Sequence, residues 1–204
     1  MLVLLPPSEG KTAPTAGPPV DLDTLTARGL GPARSEVLDA LAQVSALPDA
    51  TERLGVGASL HAEVARNTHL RTAPAAPARA VYTGVLHSTA RLAELDGAAL
   101  DRARVSVRVV SALWGLVGPD DRIPAYRLSM GTTLPGPGAL ARFWRPHLTS
   151  VLGSGPGLVV DVRSAAYAAA WAPAPHAHVT VRVEREVDGR RTVVSHWAKH
   201  ARGA

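Results

Sequence analysis

The sequence predicts a mixed α/β (α+β) fold, and three observations support this class. Short apolar runs typical of buried strands are interleaved with longer segments that carry apolar residues at helical spacing. A helical stretch over about 32–70 interrupts this alternation like an insertion. The 204 residues contain neither an internal repeat nor a linker-like stretch, so we expect a single domain over 1–204.

The first predicted elements are a buried strand and a group of helices. Residues 2–5 are uniformly apolar and are followed by two prolines, which cannot continue a central strand. Residues 34–46 carry apolar side chains three and four positions apart, which predicts an amphipathic helix. The core face of this helix comprises Val37, Leu38, Leu41 and Val44. A short helix that ends at Leu54 and a second helix over 58–67 should follow.

The rest of the chain alternates between predicted strands and helices. In order, we expect a strand over 80–86 that breaks at Thr83 and Gly84, a helix over 90–100 and a strand over 105–110. A helix over 140–152, a strand over 157–162 and a helix over 164–171 should follow. The runs 179–187 and 191–195 alternate apolar and polar residues around Asp188 and Gly189, which is a strong β-hairpin signal. A last helix should begin at Trp197.

Composition and charge exclude several classes of function. Cysteine is absent, which rules out disulfide scaffolds, thiolate metal sites, iron–sulfur clusters and cysteine nucleophiles. No run approaches the roughly 20 apolar residues of a membrane span, and the N-terminus lacks a signal-peptide pattern, so we expect a cytoplasmic protein with no membrane partner. The formal net charge of +5 fits an acidic partner, such as nucleic acid or a phosphorylated small molecule, but fits a basic surface without a partner equally well.

The basic residues are very unevenly divided between arginine and lysine. All but two of the 22 are arginine, in a sequence rich in Ala, Arg, Gly and Pro, and the two exceptions are Lys11 and Lys199. Unlike a guanidinium, an ammonium is a compact charge that can lose its proton when buried and then act as a base or nucleophile. We therefore treat both lysines, together with Tyr126, as candidate catalytic residues.

Lys11 lies in a loop that superficially resembles a P-loop. The segment Ser8-Glu9-Gly10-Lys11-Thr12 follows the first predicted strand and ends in Gly-Lys-Thr. The P-loop motif requires a glycine where this chain has Leu5, and the two prolines remove backbone donors that a phosphate cradle needs. What remains is a loop at a strand end, a common site position in α/β folds, or else simply an exposed loop.

A second motif, Leu54-Gly55-Val56-Gly57, separates two predicted helices. An apolar-Gly-apolar-Gly turn is typical of helix–hairpin–helix modules, whose glycines let backbone N–H groups approach a DNA phosphate. Arg53 and Arg66 are close enough in sequence to add positive charge. The alternative is a glycine-capped turn between two helices with no ligand.

Polar and aromatic side chains cluster at the ends of the later predicted strands. The cluster contains Tyr82, Thr83, Ser111, Tyr126, Arg127, Asp161, Arg163 and Ser164, which join Ser8 and Lys11 from the first loop. Asp161 and Arg163 lie two apart in a strand, so they share a face and can form an ordered charge network. We expect these residues to share a pocket. The histidine pairs 176/178 and 196/200 have metal-compatible spacing but no third ligand, so we predict neither a metal site nor a cofactor.

Seven stretches are distinctive in combination and span nearly the whole chain. They are Met-Leu-Val-Leu-Leu-Pro-Pro-Ser-Glu-Gly-Lys-Thr at 1–12, Val-Tyr-Thr-Gly at 81–84, Ser-Ala-Leu-Trp-Gly at 111–115, Asp-Arg-Ile-Pro-Ala-Tyr-Arg-Leu-Ser-Met-Gly at 121–131, Phe-Trp at 143–144, Asp-Val-Arg-Ser at 161–164 and Ala-Lys-His-Ala-Arg-Gly at 198–203. In this order they resemble the YaaA-type peroxide-stress protein family, and the composition resembles its members from high-GC actinobacteria.

The resemblance implies a fold, a role and a site. The fold would be an open-barrel-like mixed sheet with a helix–hairpin–helix insertion. The role would be survival of hydrogen peroxide through limited free iron and limited oxidative DNA damage, with binding of double-stranded DNA. A positively charged cleft would be lined by Lys11, Tyr126, Arg127, Arg163, Lys199 and Arg202, and Gly55 to Gly57 would form the hairpin. Relatives usually continue with a helix and tail, whereas this sequence ends one residue after Gly203.

Three functions stay open on the sequence alone. The first is non-specific binding of double-stranded DNA through phosphate contacts. The second is an enzyme that acts on a nucleobase, a nucleotide or a similar anionic small molecule, with Lys11 or Lys199 as base or nucleophile, Arg127 and Arg163 as anion clamps, and Tyr82 or Tyr126 stacking or donating. The third and weakest is iron binding through histidines and carboxylates.

Overall fold

The computed structural model describes residues 1–153, 157–181, 184–187 and 190–193. The α-helices in this part of the chain are α1 (Gly31–Ser45), α2 (Ala50–Arg53), α3 (His61–Arg66), α4 (Ala78–Val81), α5 (Val85–Thr89), α6 (Gly97–Ser106), α7 (Leu140–Leu152) and α8 (Ala165–Ala168). The strands are β1 (Leu2–Leu5), β2 (Ala76–Pro77), β3 (Val107–Ser111), β4 (Gly115–Val117), β5 (Arg122–Ile123), β6 (Thr133–Leu134), β7 (Gly138–Ala139), β8 (Val159–Asp161), β9 (His178–Thr180), β10 (Glu184–Val187) and β11 (Arg190–Val193).

A five-stranded mixed sheet organises the fold, in the order β4-β3-β1-β8-β9. Strand β1 pairs in parallel with β3 and β8, β8 pairs in parallel with β9, and β4 runs antiparallel to β3. The predicted mixed α/β class is therefore confirmed. Within the described residues the sheet stays open, with β4 and β9 at its edges, and no barrel closes. The carboxyl ends of the four parallel strands meet at one edge of the sheet.

Strand β1 and helix α1 match their predictions. β1 is apolar throughout because it lies in the middle of a parallel sheet, where both faces are covered. A proline in the first turn of α1 supplies a backbone angle suited to a helix start. All four side chains of the predicted core face of α1, Val37, Leu38, Leu41 and Val44, are buried.

Arg34 shows how α1 is fixed to the sheet. Its fully buried guanidinium donates to the carbonyl of Trp114 (3.0 Å), in the turn between β3 and β4, and to that of Leu116 (2.8 Å), in β4. It also donates to the carbonyl of Thr26. Burial lowers the pKa of Arg34 from 12.5 to about 10 and Asp121 opposes the shift, so the group stays charged at neutral pH. A charged donor that satisfies several carbonyls at once locks the geometry of this turn.

Helix α7 covers β4 through a tryptophan that only a glycine can accommodate. Trp144 is buried, and its Nε1 donates to the carbonyl of Ala112 at 2.7 Å. Gly115 has φ +68°, and a Cβ built there would lie 2.6 Å from the Trp144 ring. The Trp-Gly step at 114–115 is thus a packing requirement of the core.

Two predicted elements are wrong. The segment 80–86 contains the end of α4 and the start of α5, and only Tyr82, between them, forms an isolated β-bridge. A short apolar run fits a buried helix as well as a strand. The segment 90–100 is not one helix: Arg91 adopts φ +51°, only Leu92–Glu94 form a 3-10 turn, and α6 begins at Gly97. Because α6 continues to Ser106, β3 begins two residues later than predicted.

The later elements follow the predictions more closely. Helix α7 has the predicted bounds, while β8 and α8 are shorter than expected at both ends. β10 and β11 pair antiparallel with Val187 opposite Arg190, which confirms the predicted hairpin. The helix expected from Trp197 lies outside the described residues. Among those that are described, no helix combines the length and the apolar character needed to cross a bilayer.

Candidate functional site

The sheet brings three sequence-predicted segments to one edge. Ser8 and Lys11 follow β1, Ser111 ends β3, and Asp161 ends β8. β1 lies between β3 and β8 in the sheet, so the three carboxyl ends are adjacent. Ser8, Lys11, Ser111 and Asp161 therefore lie at the same edge of the sheet, as predicted from their positions at strand ends.

Lys11 is the chemically most unusual group at this edge. Its Nζ donates to the carbonyl of Ser8 at 2.5 Å and lies 4.4 Å from the centroid of the Tyr126 ring. Burial, followed by the charge of Arg127, lowers the pKa of Lys11 from 10.5 to about 7, while Glu63 and Glu9 oppose the shift. A lysine with this pKa is present in both its charged and its free-base form at neutral pH.

A chain of hydroxyl groups lies beneath the lysine. Ser111 Oγ accepts the N–H groups of Leu113 (3.2 Å) and Trp114 (3.1 Å) and lies 2.7 Å from the Tyr126 hydroxyl, which in turn lies 3.0 Å from that of Tyr82. Two accepted bonds occupy both lone pairs of the Ser111 oxygen, so Ser111 donates to Tyr126 and leaves the Tyr126 hydrogen for Tyr82. Burial raises the pKa of both phenols, which keeps them protonated as donors.

The loop that carries Lys11 is fixed to the start of α5. Ser8 Oγ accepts the N–H of Gly84 and donates to the carbonyl of Gly10. The Thr83 N–H also donates to Gly10 (3.1 Å), and Lys11 and Tyr82 form a single β-bridge. These bonds hold Lys11 against the two tyrosines.

Replacing Gly84 with alanine should therefore disturb this junction. A Cβ at Gly84 would lie 2.2 Å from Ser8 Oγ, which is itself held by two hydrogen bonds, so the loop must shift. We expect the free energy of unfolding to fall by about 1–3 kcal/mol in urea denaturation. Gly131→Ala is the matched control, because no atom lies within 4 Å of its added Cβ. Equal stability of the two variants would contradict the described junction.

Arg127 connects α3 to the site. Its guanidinium pairs with Glu63, and its backbone N–H and carbonyl bond to the amide side chain of Asn67 at 2.9 and 2.8 Å. Glu63 and Asn67 are not among the predicted site residues. Their spacing of four on a helical segment, which places both on one face, is the signal that could have identified them.

Asp161 and Arg163 form a buried ion pair at the end of β8. Arg163 Nη2 lies 2.7 Å from Asp161 Oδ2, and the two side chains are 0% and 1% exposed. The guanidinium also donates to the carbonyls of Tyr167 (3.2 Å) and Trp171 (2.8 Å), and His178 Nε2 lies 3.1 Å from the carboxylate. The predicted charge network is present, with the guanidinium enclosed by chain atoms.

The sequence matches a known protein family over its full length. The model of the family described as "Peroxide stress protein YaaA" matches residues 1–204. The chain belongs to this family. A UPF0246 protein of Streptomyces coelicolor is 49% identical over 208 residues, which cover 100% of this chain and 80% of that protein. A UPF0246 protein of Corynebacterium efficiens is 43% identical over 209 residues, which cover 100% of this chain and 82% of that protein.

The YaaA-type resemblance found in the sequence is thereby confirmed, but its site residues are only partly assembled. Ser8, Lys11, Tyr82, Ser111, Tyr126 and Arg127 are linked by the contacts above. Thr83 is more exposed, with its Oγ1 3.2 Å from that of Thr12, and Ser164 is the exposed residue before α8. Lys199 and Arg202 lie outside the described residues.

The turn at 54–57 is a glycine-capped helix end. The N–H groups of Gly55 and Val56 donate to the carbonyls of Glu52 and Thr51, both at 2.9 Å, and Gly55 has φ +65°. These two bonds form a Schellman motif, so neither amide is available to a phosphate. A 3-10 turn, Ala58–Leu60, then leads into α3. Whether the segment acts as a helix–hairpin–helix module stays a prediction.

Two arginines lie close to the turn. Arg53 pairs with Asp49 at 2.8 Å on the surface, and Arg66 ends α3. In the described part of the chain, no group of three His, Asp or Glu side chains could hold a metal ion.

Proposed function

We propose that this YaaA-family chain binds an anionic small molecule that resembles a nucleobase or nucleotide, and that Lys11 acts on it as base or nucleophile. The observation that carries the proposal is the position of Lys11 at the carboxyl edge of the sheet, against the Tyr126 ring, with a pKa lowered to about 7. A free amine at neutral pH can accept a proton or attack an electrophilic carbon, which a guanidinium cannot do.

The surroundings of Lys11 support this class of substrate. The Tyr126 hydrogen goes to Tyr82, so the Tyr82 hydroxyl is the donor of this pair that can serve an oxygen or nitrogen acceptor. Planar bases stack on aromatic rings of this kind. Arg127 supplies a positive charge whose partner, Glu63, lies on a different element, α3. An anionic group that competes with Glu63 for Arg127 would be drawn to the same edge.

A ligand panel tests the proposal. Nucleobases, nucleosides and nucleoside monophosphates are each incubated with the purified protein, and conversion is followed by mass spectrometry while binding is followed by thermal shift. We expect at least one member to bind and be converted, and Lys11→Arg to slow the conversion at least about 100-fold. No binding and no conversion of any member would contradict the proposal.

The description of the family refers to peroxide stress. As a second function, we propose that the protein binds double-stranded DNA and limits iron-driven oxidative damage. The favourable observation is the open surface at the turn: no atom lies within 4 Å of a Cβ built on Gly55, and the nearest to Gly57 is 3.8 Å away. DNA could therefore approach this backbone closely, with Arg53 and Arg66 on the phosphates and the net charge of +5 adding long-range attraction.

The salt dependence of DNA binding tests this second function. Binding should weaken steeply with salt and show little sequence preference, and the double variant Arg53→Glu/Arg66→Glu should reduce the slope of log K against log salt by about 2. Arg102→Glu/Arg142→Glu is the matched control, since both residues are exposed and the charge change is equal. Identical slopes for the two double variants would contradict a role for the turn.

A further inference from the structure

His87 is a buried histidine that none of the functions above uses. It lies on α5 and is only 3% exposed, and its Nε2 is 2.9 Å from the carbonyl oxygen of Pro6. A carbonyl oxygen only accepts, so Nε2 carries the hydrogen and Nδ1 carries a lone pair. Among the described residues, Nδ1 has no hydrogen-bond partner. The ring also packs on Tyr82, with 5.1 Å between centroids.

The bond to Pro6 acts on the loop that holds Lys11. Pro6 lies two residues before Ser8, whose carbonyl accepts the ammonium of Lys11. The first residue before α5, Gly84, bonds the Ser8 hydroxyl. Helix α5 therefore holds this loop at two points, the carbonyl of Pro6 and the side chain of Ser8.

We propose that His87 is a positioning residue for Lys11: its Nε2–H fixes the loop after β1 so that the lysine amine stays enclosed against Tyr126. This inference rests on the proposed role of Lys11. A serine or asparagine at position 87 would be too short to span from the helix to Pro6, whereas the imidazole reaches it and fills the space beside Tyr82.

The charge state of His87 suits this role. Burial lowers its pKa to about 4, the bond to Pro6 opposes the shift and the charge of Lys11 adds to it. A neutral imidazole donates its hydrogen bond without adding another positive charge to those of Lys11 and Arg127. The titratable groups that face Lys11 are Glu9, Glu63, Tyr82, His87, Tyr126 and Arg127.

Lysine-selective NMR tests the inference without a known substrate. Because Lys11 and Lys199 are the only lysines, the variant Lys199→Arg leaves one labelled side chain, whose Cε shift follows the protonation of Lys11. His87→Phe keeps an aromatic ring but loses the donor, and His87→Gln places an amide N–H near the position of Nε2. We expect His87→Phe to raise the titration midpoint of Lys11 by about one pH unit or more as the amine gains solvent, and His87→Gln to restore much of the original value.

The outcomes separate the two proposals. A Lys11 midpoint near its ordinary value with His87 intact would overturn the proposed function. A lowered midpoint that is the same in the parent and in His87→Phe would overturn only the positioning role. If His87→Phe fails to fold, His87→Asn replaces it, because its shorter side chain ends before Pro6. The expectation for His87→Asn is the same upward shift, and an unchanged midpoint again overturns the inference.

Discussion

Replacing Arg163 with methionine should lower the free energy of unfolding by about 3–5 kcal/mol. The guanidinium and the Asp161 carboxylate are almost fully enclosed and lie 2.7 Å apart. Methionine fills similar space but leaves the buried carboxylate without its cation, and an unpaired buried charge strongly destabilises the folded state. Chemical denaturation near neutral pH measures the change.

The double variant Asp161→Leu/Arg163→Met is the matched control for the buried charge. It should recover most of the lost stability, because neither charge of this pair then remains buried without a partner. A loss of less than 1 kcal/mol in the single variant, or no recovery in the double, would show that the pair is not enclosed as described.

Lowering the pH should reduce the difference in the free energy of unfolding between the wild type and Arg163→Met. Burial disfavours the charged form of Asp161, but the hydrogen bonds and charge of Arg163 outweigh it and hold its pKa below the ordinary value. The contribution of the pair is therefore complete above the unfolded pKa of about 3.9 and is lost as the pH falls below it. In Arg163→Met, protonation of the same carboxylate relieves the penalty. A difference that stays constant down to pH ~2 would contradict this linkage.

Replacing Lys11 with arginine should leave the protein folded but reduce its turnover about 10²- to 10⁴-fold. Turnover is measured with whichever nucleobase, nucleoside or nucleoside monophosphate the wild type converts. Arginine keeps the positive charge but not the ability to give up a proton near neutral pH, so the variant separates chemistry from simple attraction. Arg142→Lys, at an exposed position, is the control for an arginine–lysine exchange elsewhere. If Lys11→Arg retains turnover within about threefold of the wild type, Lys11 serves only as a charge.

Elements with strong local signals could be predicted from the sequence. β1 has an apolar run that ends at two prolines, and α1 and α7 have a clear helical spacing. The alternating runs on either side of an Asp-Gly step predict the pairing of β10 with β11. In each case the information lies within about 15 neighbouring residues. The prediction of a strand over 80–86 was wrong because the conformation of this segment depends on hydrogen bonds to the loop after β1. That loop is distant in the sequence, so no local pattern reports these contacts.

Only the site residues that lie at strand ends could be predicted from the sequence. Ser8, Lys11 and Ser111 are such residues, because adjacent parallel strands must end at one edge. The Glu63–Arg127 pair and the contact of His87 with Pro6 depend on how helices dock on that edge. No local pattern encodes such long-range contacts, and nothing in the sequence around His87 distinguishes it from the other histidines of the chain.

The titration of Lys11 tests the central claim most directly. Both lysines are labelled at Cε, the signal of Lys11 is assigned by its persistence in Lys199→Arg, and its shift is followed from pH ~5 to pH ~12. The site described above predicts a midpoint of about 7 for Lys11. A midpoint near 10.5, the ordinary value, would show that the amine is solvated and charged, and the proposed chemistry would have no basis.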